Sequence, residues 1–182
     1  IVIGISCSSC SISQQYLTLK QASEIAPDSV THLKISRKKI AEIPSIVWTY
    51  RNLKALDLSK NKLTSISDSI SLLKSLEVLS LRKNKLSFFP VELCALKGLT
   101  HLNLSSNQIG YIPDAIAKCS ELSDLDLYNN PISDLGNGLE ELQHLTRLDL
   151  RGLMMNAKKQ DQISVKIPRV KILFDAPCNC VD

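Results

Sequence analysis

The stretch Leu76-Glu77-Val78-Leu79-Ser80-Leu81-Arg82-Lys83-Asn84-Lys85-Leu86 (residues 76–86) decides how this chain folds. Leu79 and Leu81 alternate with other residues, as in a short strand with one buried face. The strand then runs into Arg82-Lys83-Asn84 before closing on Leu86. One such stretch would carry little weight, because short alternating runs are common. Its force comes from recurrence.

The same pattern returns every 23 residues, in units beginning at Val30, Leu53, Leu76, Leu99, Leu122 and Leu145, with no insertion between them. The fourth position holds Leu33, Leu56, Leu79, Leu102, Leu125 and Leu148. The sixth holds Ile35, Leu58, Leu81, Leu104, Leu127 and Leu150. The ninth is Asn61, Asn84, Asn107 and Asn130, with Lys38 and Leu153 in the end units. A strict period of this length is the mark of a solenoid, in which each unit buries its apolar face only against its neighbours.

The runs at 53–63, 76–86, 99–109 and 122–132 resemble the leucine-rich repeat motif. That resemblance implies an α/β architecture: a right-handed, horseshoe-shaped solenoid with a parallel sheet on its concave face and short helices or turns on its convex face. The residues point the same way. Fourth and sixth positions face the core, while third, fifth and seventh face out. Each ninth-position Asn offers two donors and an acceptor to backbone groups in the turn after its strand. Pro44, Pro90 and Pro113 recur where a helical return segment would start.

The expected organisation has five parts: a signal remnant or tether over 1–15, a helical cap over 16–29, six repeats over 30–152, a helix–strand cap over 153–175, and a tail over 176–182. Leu19, Ala22 and Ile25 follow helical spacing up to Pro27 in the first cap. With a cap at each end, the chain reads as a complete small solenoid.

The net charge of +4 is mild, but it is unevenly spread. Residues 29–98 carry 13 Lys and Arg against 5 Asp and Glu, whereas residues 99–152 carry 3 against 8. Such polarity bears on steering and partner choice rather than on fold. The six cysteines at 7, 10, 94, 119, 178 and 180 do not form a dense framework and leave the redox compartment open. Cys119 fills a position held by Tyr50, Leu73, Leu96 and Leu142 in other units and reads as core; a bridge to Cys94 is the less favoured arrangement.

Catalytic and metal chemistry find little support. His32 and His101 share the third position three units apart, roughly 14 Å at the strand spacing, so they cannot share an ion on their own. Glycine-rich phosphate loops, nucleophile elbows and zinc-protease motifs are absent from the sequence. The chain is therefore expected to be no enzyme and to need no cofactor or metal.

The apolar start at 1–10 looks like the end of a secretory segment. Gly4-Ile5-Ser6-Cys7 resembles a bacterial lipoprotein cleavage box, which implies lipidation of Cys7 and a tether over 8–15. The candidate binding residues are the outward strand positions: Lys34, Arg37, Asp57, Lys60, Arg82, Lys83, His101, Asn103, Asp124, Asp126, Tyr128, Arg147, Asp149 and Arg151. The expected function is non-enzymatic binding of a protein partner on that concave face, in an exported, envelope-associated and lipid-anchored protein. A cytosolic scaffold is the alternative, as is a polyanion binder using the basic half. Nucleic acid is not favoured, and membrane contact is expected only through the lipid.

Overall fold

The computed structural model describes residues 15–178. Eight parallel strands form one sheet in chain order: β1 (Leu17–Thr18), β2 (His32–Lys34), β3 (Ala55–Asp57), β4 (Val78–Ser80), β5 (His101–Asn103), β6 (Asp124–Asp126), β7 (Arg147–Asp149) and β8 (Lys171–Leu173). Leu33, Leu56, Leu79, Leu102, Leu125 and Leu148 face one another across successive strands. The 23-residue period is therefore the sheet register itself. A slip of one residue would turn this whole leucine row to solvent, which is why the register is so tightly specified.

Behind the sheet, the leucines form one continuous apolar core that runs the length of the solenoid. The convex return segments are single turns of 3-10 helix at Ser45–Thr49, Asp68–Leu72, Val91–Ala95, Asp114–Lys118 and Gly138–Glu141. Pro44, Pro90 and Pro113 stand one residue before three of these turns. Their carbonyls accept the first helical bonds from Val47, Leu93 and Ile116. Each turn then buries apolar side chains toward the strands, such as Ile70, Ile116 or the pair Leu93 and Cys94.

At the first end, helix α1 (Leu19–Ser23) is held by a reciprocal capping box between Thr18 and Gln21. It is shorter than the helical spacing up to Pro27 suggests. The backbone tightens at Glu24, whose N–H bonds to Gln21, and Ile25 is left exposed. Proline at 27 also disfavours a helical conformation at Ala26. At the other end, helix α2 (Ala157–Lys166) starts at Asn156, whose side chain accepts the Lys159 N–H. It leads into β8, which pairs with β7.

Cys94 and Cys119 are joined as a disulfide, with their α-carbons 4.4 Å apart. Cys119 is buried, as its apolar position suggests, but it is bridged as well. The bond ties the 3-10 turn of the third unit to the end of the turn in the fourth. A closed loop of this size restricts the unfolded chain enough to contribute about 3 kcal/mol. Cys94→Ala is expected to lower the unfolding free energy by that amount in urea melts.

Tyr50 fills the position held by Leu73, Leu96, Cys119 and Leu142 in later units and is 1% exposed. Its hydroxyl has no hydrogen-bond partner among the described residues, and burial raises its pKa. A buried hydroxyl without a partner costs stability. Tyr50→Phe should therefore be more stable than the native protein by about 1 kcal/mol, measured by thermal melting.

Candidate binding face of the sheet

Four of the strands carry Asp or Asn at the fifth unit position: Asp57, Asn103, Asp126 and Asp149. In each, the side-chain oxygen accepts the backbone N–H two residues on, at Ser59, Ser105, Tyr128 and Arg151, over 2.9 to 3.2 Å. These turns hold the chain as it leaves the strand. Four candidate binding residues thus have a structural job, and the repetition of Asp/Asn at one position was the signal for it.

The next residues set the edge of the face. Arg37, Lys60, Lys83, Ser106, Asn129 and Gly152, all at the eighth position, have positive φ between 54° and 81°. Left-handed backbone bends the chain there while keeping its N–H in the ladder. The Lys60 N–H bonds to Arg82 O at 2.7 Å, and the Lys83 N–H to Ser105 O at 2.8 Å. Behind this bend lies the asparagine ladder. Each amide donates to the sixth-position carbonyls of its own and the preceding unit; Asn84, for example, bonds Leu81 O at 2.8 Å and Leu58 O at 3.0 Å. Its oxygen accepts the Leu63 N–H at 3.1 Å.

The later strands hold a connected charge network. Arg147 bonds Asp124 at 2.8 Å and Asp149 at 3.1 Å, while Arg151 reaches Asp149 at 2.7 Å. Arg151 also lies over the Tyr128 ring, 5.8 Å from its centre. Asp149, expected on the open face, is instead 1% exposed. It is covered because the two arginines fold over it from either side. Asp126 bonds the Asn103 amide at 2.8 Å rather than either arginine.

The two aspartates titrate in opposite directions. Burial pushes the Asp149 carboxyl up, but the Arg151 hydrogen bonds and the nearby Arg147 charge together hold it below its ordinary value. Burial also lifts Asp126, and there the Tyr128 N–H does not offset it, with the Asp149 charge adding to the rise. A depressed carboxyl stabilises the fold above its unfolded pKa, and that contribution is lost as pH falls through the folded value. Asp149→Asn is expected to cost about 2 kcal/mol at neutral pH, the scale of hydrogen bonds to a charged group. The difference from the native protein should shrink as pH falls below the ordinary carboxylate range in pH-dependent melts.

Tyr128 is the exposed aromatic of this region, at 40%. His101 and Asn103 line a shallow depression of ≈ 290 Å³ with Val78, Asp124, Asp126 and Arg147. A larger hollow of ≈ 890 Å³ lies between α2 and residues 134–136, outside the sheet face. On the earlier strands Lys34 pairs with Asp57 at 3.2 Å, while Lys60, Arg82 and Lys83 are exposed. His32 is buried, packed edge-on against Tyr16, a residue absent from the candidate set. Among the described residues, no group of three or more His, Cys, Asp or Glu could hold a metal ion. None of their helices is long and apolar enough to cross a membrane. Cys7 and the rest of 1–14 lie outside the described residues.

Family models for leucine-rich repeats match residues 28–86 and 51–109, and a two-copy model matches 97–141. The chain belongs to the leucine-rich repeat family. Leucine-rich repeat domains are generally protein-interaction modules. Among solved structures, this one resembles a leucine-rich repeat protein of Leptospira interrogans, at 26% identity and a TM-score of 0.65, over 80% of this chain and 43% of that one. An internalin of Listeria monocytogenes shares the fold at 24% identity and a TM-score of 0.65, over 84% of this chain and 43% of its own. A plant peptide hormone receptor, RGFR1, solved in complex with RGF2, is 34% identical with a TM-score of 0.55, over 67% of this chain and 20% of the receptor. The chain spans less than half the length of each of these three proteins. No curated protein matches it.

Proposed function

We propose that this leucine-rich repeat chain is a non-enzymatic binding module whose protein partner docks on the concave sheet face around Tyr128, Arg147 and Arg151. The observation that carries this reading is the buried Asp149 carboxylate, which holds both guanidinium groups at 2.7 and 3.1 Å. Arginine and tyrosine are the residue types that dominate interface energetics. Side chains already fixed in place lose little entropy when a partner arrives. The neighbouring Tyr128 ring, under Arg151, adds a flat apolar surface to the same cluster. That a related plant receptor is solved with a peptide hormone agrees with a binding role.

A photo-cross-linking side chain at position 128, compared with one at Ser71 on the convex turn, tests this in the native extract. The same protein should be captured through position 128, lost when Arg151 is changed to Ala, and absent from the position 71 sample. Equal capture from both positions would contradict the concave face.

The reading includes export and lipid anchoring at Cys7. Disulfides persist in oxidising compartments, so the Cys94–Cys119 bond supports export over a cytosolic scaffold. Intact mass spectrometry of the native protein should show an acyl group on a mature N-terminus at Cys7. An unmodified N-terminus would remove the anchor.

A further inference from the structure

The bend after the strands carries a second, chemically different surface. In the first three units the eighth position is Arg37, Lys60 and Lys83, and the tenth is Lys39, Lys62 and Lys85. All six side chains are exposed. Both rows are held at the pitch of the sheet, because the backbone N–H groups of Arg37, Lys60, Lys83, Lys62 and Lys85 bond to the adjoining coil. The Arg37 N–H bonds to Ser59 O at 3.1 Å, and the Lys85 N–H to Leu63 O at 2.9 Å. Neighbouring cations in a row are therefore spaced by about 4.8 Å at their backbones. The array stops sharply: the fourth unit has Ser106 and Gln108 at these places, and the fifth has Asn129 and Pro131.

Among the described residues, no carboxylate pairs with this array. None of the six has an ion pair among the described residues, and neither do the flanking Lys38 and Arg82. No Asp or Glu occurs in the segments 36–39, 59–62 and 82–85 that carry them. The charges act on one another instead: Arg37 first, then burial, Lys83, Arg82 and Lys34, lower the Lys60 pKa. The backbone adds a second cost. Arg37, Lys60 and Lys83 have φ of 59°, 59° and 56°, a region that Asn and Gly enter far more readily than Lys or Arg. Asn129 and Gly152 occupy the equivalent positions later in the solenoid. Three long cations thus stand where self-repulsion and backbone geometry both disfavour them.

We infer that this double row of cations is a docking surface for a linear sulfated polysaccharide. The cation-bearing segments 36–39, 59–62 and 82–85 hold no aromatic ring on which bases could stack, as non-specific binders of single-stranded nucleic acid use. Nor do these segments hold an apolar anchor of the kind that dominates a protein interface. An extended acidic peptide would present same-side carboxylates about 6.6 Å apart, wider than the cation pitch. Densely spaced sulfate groups on a flexible chain can satisfy many cations without matching one register. The choice of polysaccharide over other polyanions rests on the export reading, since the disulfide points to an oxidising compartment. The surface lies on the first three units, and the Tyr128–Arg151 cluster lies on the fifth and sixth.

The test uses heparin as the probe, with the full chain and salt-dependent binding measured by calorimetry. With six contacts, affinity should fall on the order of a thousandfold between 50 and 200 mM salt. The double variant Lys60→Asn and Lys83→Asn should lose about two contacts and show a fall nearer a hundredfold. The same variant should melt at a higher temperature than the native protein, because asparagine relieves the left-handed backbone and the repulsion. Weaker binding together with higher stability separates a binding role from a structural one. Tyr128→Ala should bind heparin as the native protein does.

Fully desulfated heparin, which keeps its carboxylates, should bind at least tenfold more weakly. Heparin binding unchanged in the double variant would overturn the site. Equal competition by desulfated heparin, polyglutamate or duplex DNA, matched by charge, would overturn the sulfated ligand. Because the measurement is made on purified protein, it is independent of the export reading. An unmodified N-terminus with intact heparin binding would remove the anchor alone, and an acylated chain that ignores heparin would remove this surface alone.

Discussion

Asn84→Ala should lower the unfolding free energy by about 3 kcal/mol, and pairing it with Asn107→Ala should cost more than the two single changes added together. The reason lies in how the ladder shares its partners. Leu81 O accepts from both the Asn84 and the Asn107 amides, at 2.8 and 3.1 Å. Leu58 O is likewise shared by Asn61 and Asn84, at 2.9 and 3.0 Å. Losing Asn84 alone leaves each carbonyl one donor and strands only the Leu63 N–H, which bonds to the Asn84 oxygen. Losing Asn107 as well removes the last side-chain donor from Leu81 O. The excess in the double variant should be about 1 kcal/mol, the lower end of the cost of an unmade buried bond. Urea melts of the two single variants and the double variant read it directly. Strict additivity would show that the carbonyls are satisfied in some other way.

The second large effect belongs to the core row. Leu102 in β5 is 2% exposed and lies between Leu79 and Leu125 on the adjoining strands. Leu102→Ala should cost about 4 kcal/mol, the sum of lost burial and an unfilled cavity. In a solenoid each unit is stabilised by its neighbours alone, so a weak central unit loosens the coupling between the two halves. Native-state hydrogen exchange should then show the first three units and the last units opening with different free energies. A single uniform opening would mean that the core is more continuous than nearest-neighbour stacking allows.

The leucine rows were legible in the sequence because their period is the sheet register, and neither can change without the other. The ninth-position asparagines were legible for a related reason: the same turn in the four inner units must solve the same hydrogen-bonding problem each time. The left-handed bend at the eighth position was not legible. Arg37, Lys60 and Lys83 hide it, since a residue with a side chain at positive φ gives no warning. Asp57 and Asp149 occupy equivalent positions, yet their surroundings differ. Asp57 meets one lysine, while Asp149 is covered by two arginines, one from its own third position and one from its seventh. The Cys94–Cys119 bond was obscured by its spacing of 25, two residues off the period. The two cysteines meet because one lies within a 3-10 turn and the other caps the next. That closeness depends on the pitch of the convex side, which the strand pattern does not report.

We propose that a protein binds at the concave cluster held by Asp149. Its most direct test is the affinity of the protein captured through position 128 for a small set of variants. Tyr128→Ala and Arg151→Ala should each weaken binding by at least thirtyfold, about 2 kcal/mol. Ser71→Ala on the convex turn, and saturating heparin, should leave the affinity unchanged. Native affinity in the Tyr128 and Arg151 variants, or a loss confined to the convex change, would contradict the account.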